Sequence, residues 1–135
     1  MSTLTISNLN DGTTTVPTTF VTNGSAKFYI NFNGIGTAVV NKSLNHSSLT
    51  DNGTGDFTFN FTNSMDDIYY SHIGGAYYDA NTNGALTFGL RDNTTWSGER
   101  TASLIRYHAN SVTSTSNRSV FDPDEATLTI HGDLA

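Results

Sequence analysis

The residue types that carry most enzyme chemistry are few in this chain and poorly spaced for it. Four histidines, His46, His72, His108 and His131, are far apart and never two residues apart along one strand. Each reads as an ordinary sheet or loop histidine, and a composite metal site would need the fold to bring two together. Cysteine is absent, which removes disulfides, thiolate metal sites and thiol nucleophiles. The acids fall in turn-like clusters, Asp66-Asp67 and Asp122-Pro123-Asp124-Glu125, where Asp caps backbone amides. A glycosidase needs two carboxylates facing a sugar cleft, and the chain holds only Glu99 and Glu125 as glutamates. Asn33-Gly34-Ile35-Gly36 contains Gly-x-Gly without the third glycine or the following helix, so it reads as a hairpin turn. Asp51–Asp56 has the outline of a calcium loop but lacks ligands at its third and fifth positions and the closing Glu. There is no Gly-x-Ser-x-Gly elbow, phosphate-binding loop or His-Glu-x-x-His. The expectation is a protein that is not an enzyme and uses no metal or cofactor.

Binding chemistry is better represented. Tyr69, Tyr70, Tyr77, Tyr78, Trp96 and Tyr107 crowd the second half of the chain. Strand alternation cannot bury both members of Tyr69-Tyr70 or of Tyr77-Tyr78, so one of each pair faces solvent or a partner. Trp96 lies in the polar stretch Asp92–Arg100, where a ring can stack on a sugar face or serve as a lid on the end of the core. All four arginines, Arg91, Arg100, Arg106 and Arg118, share this half, with Asp92 and Glu99 close by. Tyr77, Tyr78, Arg91, Trp96 and Arg100 are therefore the candidate receptor or glycan contact. Seven Asn-x-Ser/Thr sequons occur, as a chain this rich in those residues would show by composition.

The elements that must position these residues are strands. Thr, Asn, Ser and Gly make up 63 of 135 residues, while hydrophobic residues are 36% and charged residues 13%. Thr suits a pleated strand, and Asn and Gly suit the turns between strands. Phe28, Ile30 and Phe32 alternate with Lys27, Tyr29 and Asn31, and Phe57, Phe59 and Phe61 alternate with Thr58, Asn60 and Thr62. Both are period-two patterns of half-buried strands, so these phenylalanines are expected in one core. Thr37–Ser43, Leu44–Thr50, Ile68–Tyr77 with a break or bulge at Gly74-Gly75, Ala85–Arg91, Thr101–His108 and Ala126–His131 read as further strands. Asp51–Gly55 reads as a tight turn built on Asn52-Gly53. The spacing implies an antiparallel sandwich or barrel. No helix is expected.

Residues 1–25 differ, with Leu4-Thr5-Ile6 as a short strand candidate and a nearly all-polar run over Asn10–Thr19. They read as an arm that packs on a neighbour or on the sheet edge, beside a single domain over 26–135. No apolar run approaches the roughly 20 residues of a membrane helix, and residues 1–20 lack a signal-peptide pattern. Net charge is −6, which disfavours nucleic-acid backbones as partners.

Tyr29-Ile30-Asn31-Phe32-Asn33-Gly34-Ile35-Gly36-Thr37 and Leu44-Asn45-His46-Ser47-Ser48-Leu49-Thr50-Asp51-Asn52-Gly53-Thr54-Gly55-Asp56-Phe57-Thr58-Phe59-Asn60-Phe61-Thr62 together resemble a stretch of phage virion proteins. It is similar to tail-fibre and receptor-binding domains of tailed phages, many from marine bacteria. These read aromatic-Val-Asn-Phe-Asn-Gly, then Asn-Val-Ser-Ser-Ile-Thr-Asp-Asn-Gly-Thr-Gly-Asp-Tyr. The resemblance covers about residues 26–70 and, loosely, Thr127–Ala135. It departs from the family at Asn41-Lys42, near a common Arg, and at Ser64-Met65, where Ala-Met or Ala-Leu is commoner. Residues 77–120 lie outside it.

The resemblance implies a structural virion component, in which assembly rather than catalysis is expected. A homotrimer is expected, located on the virion at the tail or capsid surface. The expected fold is an antiparallel β-sandwich, jelly-roll-like or H-type-lectin-like, of seven to nine short strands with an extended N-terminal arm. Beginning at Met1, the chain is expected to carry no shaft and to attach to other virion proteins through residues 1–25. A tail-fibre or tail-tip protein contributing to host attachment is the leading expectation. A capsid or neck decoration protein and a carbohydrate-binding lectin-like module are the alternatives. A host cell-surface glycan is the candidate external partner.

Overall fold

The computed structural model describes residues 4–79, 85–90, 99–114 and 117–135. In chain order its elements are β1 (Asn8–Asn10), β2 (Thr15–Pro17), α1 (Thr18–Gly24), β3 (Ala26–Asn33), β4 (Val39–Leu44), β5 (His46–Gly53), β6 (Asp56–Phe61), β7 (Ser71–Tyr77), β8 (Ala85–Leu90), β9 (Leu104–Ser114), β10 (Asn117–Val120) and β11 (Glu125–His131). All strand pairings are antiparallel, as the alternating patterns lead one to expect. Two sheets form the sandwich. One has the order β4-β3-β11-β7, and the other runs β10-β9-β6-β5 with β8 on the far edge of β9. One edge of β9 pairs first with β6 and then with β10, while its other edge pairs with β8.

The core forms where the inward faces meet. Phe28, Ile30 and Phe32 of β3 and Phe57, Phe59 and Phe61 of β6 are all buried, as their period-two spacing requires. Their rings interleave across the sheets: Phe28 lies 5.0 Å from Phe61, and Phe32 lies 4.9 Å from Phe57 and 5.3 Å from Phe59. Ile105, Tyr107 and Ala109 of β9 and Ala126, Leu128 and Ile130 of β11 complete the two walls. Outward positions are bridged by short polar side chains. Asn52 donates to Thr58 Oγ1 at 2.8 Å, Asn60 to Ser48 Oγ at 3.0 Å, and Asn41 to Asn31 Oδ1 at 2.8 Å. These cross-strand bonds give the Asn, Thr and Ser content a physical use.

The sandwich has nine strands among the described residues, β3 to β11, within the seven to nine expected, and the arm adds a separate hairpin of β1 and β2, which carry too few apolar residues to stand out. Several local expectations are corrected. Residues 8–24 are a hairpin followed by a helix, not an extended segment with a strand at Leu4-Thr5-Ile6. The helix α1 spans only seven residues and has no side-chain cap, so its Thr-rich sequence gave no helical signal. The break between β4 and β5 falls at Asn45, whose φ of 57° turns the chain from one sheet to the other. Its side chain holds that turn, accepting from Asn63 N at 2.7 Å and donating to Asn63 O at 2.9 Å. The β5–β6 turn sits on Thr54-Gly55 rather than Asn52-Gly53, with Gly55 at φ +69°.

Gly74-Gly75 is not a bulge, since β7 pairs with β11 in unbroken register. Gly74 is needed for a different reason. A Cβ there would lie 2.8 Å from Phe88 Cδ1 and 2.9 Å from Tyr107 Cε1, so its hydrogen lets the two sheets close. Gly75 points outward, where a Cβ would meet nothing nearer than Thr127 Oγ1 at 3.9 Å.

Two outcomes follow for stability. Phe59→Ala should cost about 3–5 kcal/mol in a denaturant titration, as truncation of a fully buried ring does. A loss below about 1 kcal/mol would mean the ring is not in the core. Gly74→Ala should cost about 1–3 kcal/mol by overpacking, while Gly75→Ala should change stability by less than about 1 kcal/mol. Equal effects at the two glycines would contradict the sheet spacing described here.

Candidate functional site

The residues expected to form one contact surface do not converge. Tyr77 ends β7 with its ring exposed, and its hydroxyl donates to Asp79 Oδ1 at 3.1 Å. Tyr78 is half-buried, with its ring 4.8 Å from that of Phe121. Arg100 lies at the other end of the same strand, its guanidinium 5.6 Å from the centre of the Tyr70 ring. Ser71 to Tyr77 is six steps, or roughly 20 Å at about 3.3 Å per residue. The described part of the proposed contact is therefore split between opposite ends of the sandwich. Arg91 and Trp96 lie outside the described residues.

Burial sorts the paired tyrosines as alternation requires. Tyr69 is exposed and Tyr70 is buried, with its hydroxyl 3.0 Å from Thr101 O and 3.1 Å from Leu104 O. Burial pushes the Tyr70 and Tyr107 hydroxyls well above the usual tyrosine range, so both stay protonated. The Tyr107 hydroxyl and His72 Nδ1 share a hydrogen bond, with the imidazole tautomer deciding which of the two donates. Burial, and next the nearby Arg100 charge, lower the His72 pKa and keep it neutral for this role.

The most strongly coupled charges lie on the outer face of the β5–β6–β9 sheet. Arg106 holds Asp56 through two hydrogen bonds, Nε to Oδ1 at 2.6 Å and Nη2 to Oδ2. His108 Nε2 lies 3.2 Å from Asp56 Oδ2, off the line of a good hydrogen bond. Burial raises the Asp56 pKa, but the contacts with Arg106 and His108 outweigh it and hold the carboxyl below its ordinary range. The register that pairs Asp56 with His108 and Thr58 with Arg106 creates this cluster. Partners 50 residues apart could not be matched from spacing alone. The cluster ties β6 to β9.

Three of the other acids bond backbone amides at turns and strand ends. Asp67 Oδ1 accepts from Tyr69 N at 2.7 Å, Asp122 Oδ1 from Gly55 N at 2.8 Å, and Asp124 Oδ2 from Asp79 N at 2.7 Å. Among the described residues, no group of three His, Asp or Glu side chains is placed to hold a metal ion. No helix there is long and apolar enough to cross a membrane.

The remaining candidate is the arm. Residues 8–24 fold on themselves, and no residue of α1 is buried. The hairpin tip is held by Asp11 Oδ1, which accepts from Thr13 N at 2.9 Å and Thr14 N at 2.7 Å. Leu9, Val16 and Val21 gather in a shallow open hollow between hairpin and helix, and Phe20 is 72% exposed. The root is fixed to the sandwich where Gly24 O lies 3.1 Å from His131 Nδ1 and where the Lys27 amine meets Ser25 O at 2.8 Å. The arm is thus an ordered element that leaves apolar side chains, Phe20 above all, exposed on its surface. Comparison with protein-family models, with curated proteins and with solved structures finds no match for this chain.

The titrating groups give a signed pH dependence. Burial lowers the pKa of His46 and His72 below the ordinary 6.5, so the fold favours their neutral forms. Their contribution is complete above that pH and is lost as pH falls. Asp56 is lowered below 3.8, so its contribution persists to more acid pH and is lost as pH falls further. Denaturant midpoints should be level from about pH 7 to about pH 9 and decline in two stages on acidification; above about pH 10 they should fall as well, because the fold holds Tyr70 and Tyr107 protonated. A midpoint that rises between pH 7.5 and 5.5 would contradict the histidine assignments. Arg106→Ala should cost about 1.5–3 kcal/mol at pH 7 by removing two charge-assisted hydrogen bonds.

Proposed function

We propose that the protein is a non-enzymatic structural component of a tailed-phage virion, associated with the tail fibre or tail tip and contributing to host attachment. The observation that carries this reading is the arm, an ordered hairpin and helix with an exposed apolar surface on a β-sandwich. The resemblance of residues 26–70 to tail-fibre and receptor-binding domains supports the same role. In this reading the chain assembles as a homotrimer and meets other virion proteins through residues 1–25. The sandwich is its rigid body, and the tyrosine-bearing ends of β7 are open to a cell-surface glycan.

Antibodies raised against the purified chain should label the tail fibre or tip of intact phage particles and slow their adsorption to cells. Labelling of the head surface or neck would make it a decoration protein instead. Particles that contain none of the protein by mass spectrometry would overturn a virion role.

A further inference from the structure

The outer face of the β4-β3-β11-β7 sheet carries an apolar row that its own chain leaves uncovered. Leu44 pairs with Tyr29, Tyr29 with Thr129, and Thr129 with Ile73, so these four residues form one line across all four strands. Ile73 is 71% exposed, Leu44 47% and Tyr29 39%. At about 4.8 Å per strand the line is roughly 14 Å long. The seven-residue helix α1 is about 10 Å long at 1.5 Å per residue, so its exposed side fits along this line.

Charge singles out the same pair of surfaces. The chain carries −6 overall, so two copies repel over most of their surfaces. Both of its lysines, Lys27 and Lys42, belong to β3 and β4 of this sheet. Lys42 is exposed opposite Asn31, the position next to the Tyr29–Leu44 pair on that face. Glu125 lies on β11 of the same sheet and accepts from Asn31 at 2.6 Å. Residues 4–24 hold one charged side chain, Asp11, and no cation. An acidic arm meeting a face that holds both lysines is the contact at which copies of this acidic chain are least opposed.

We infer that copies associate head to tail, with Phe20 and Val21 of one copy's helix seated on the Leu44–Tyr29–Thr129–Ile73 row of the next. The contact is heterologous, because the two surfaces differ, and a ring of three closes it. It rests on the homotrimer of the proposed function and names the surface that receives the arm. The arm's root at His131 and Lys27 holds α1 at the end of its own sheet, with Phe20 facing solvent.

Light scattering on the full chain tests this with two substitutions at exposed positions, Phe20→Ser in the arm and Ile73→Glu on the face. Melting curves within a few degrees of the parent's show that both variants fold. At about 100 µM, where even weak contacts fill, the parent should exceed its 14.5 kDa monomer mass. Each variant alone should associate at least about tenfold more weakly. Mixing them should restore a two-chain species, since the intact arm of Ile73→Glu can sit on the intact face of Phe20→Ser. A parent that stays monomeric, a Phe20→Ser chain that assembles like the parent, or a mixture that stays monomeric would each overturn the arm-on-face contact. Labelled virions combined with any of those three results would leave the virion role standing and remove only this contact.

Discussion

The structure depends on the interleaving of phenylalanine rings from β3 and β6 across the gap between the sheets. Five rings at alternate positions on two strands fill most of the depth of the sandwich, and the aliphatic side chains of β9 and β11 close it on either side. Because the rings alternate strictly, the opposite side of each strand is free to be polar. That is how a chain that is nearly half Thr, Asn, Ser and Gly still holds a dry core. The same interlock sets where glycine is required. Gly74 lets β7 approach Phe88 and Tyr107, and Gly34 lets the β3–β4 turn pass Phe57 and Pro123. It also fixes the register that brings Arg106 to Asp56.

The strands of the core were legible because period two is strong wherever bulky rings alternate with small polar residues. Ala26–Asn33, Asp56–Phe61 and Glu125–His131 lie within two residues of their expected limits. The weak elements were not legible. α1 is built on β-branched residues without a cap, and β10 is a four-residue strand of mixed polarity whose existence depends on β9 running beyond His108. The Asn45 corner was hidden because its αL conformation and its bonds to Asn63 are tertiary facts. The candidate contact failed to converge for a similar reason. Tyr77 closes β7, whereas Arg100, which comes just before β9, sits over Tyr70 at the start of β7, so the two lie at opposite ends of that strand. Exposure of one tyrosine in each pair needed only alternation and could be read directly.

Polar side chains that could do chemistry and exposed apolar surface are segregated in this chain. Histidine, tyrosine and aspartate side chains that resemble catalytic parts are spent on holding strands and turns: His72 under Tyr107, Asp56 under Arg106, Asp122 on Gly55. What the fold leaves unspent is apolar surface, on the arm and on the outer face of the β4-β3-β11-β7 sheet. The arm carries a single charge, Asp11, and the sheet face holds both lysines of an otherwise acidic molecule. Such a division is what the proposed role as a virion building block requires.

Amide hydrogen exchange on the full chain, followed at low and high concentration, addresses that division most directly. In dilute solution the amides of β3, β6, β9 and β11 should be the slowest to exchange, while those of residues 8–24 exchange orders of magnitude faster. Raising the concentration should protect the arm and the outer-face strands together, with the core strands unchanged. An arm already protected in the dilute monomer, or β6 amides that exchange as fast as the arm, would contradict a self-sufficient core with an arm reserved for a partner.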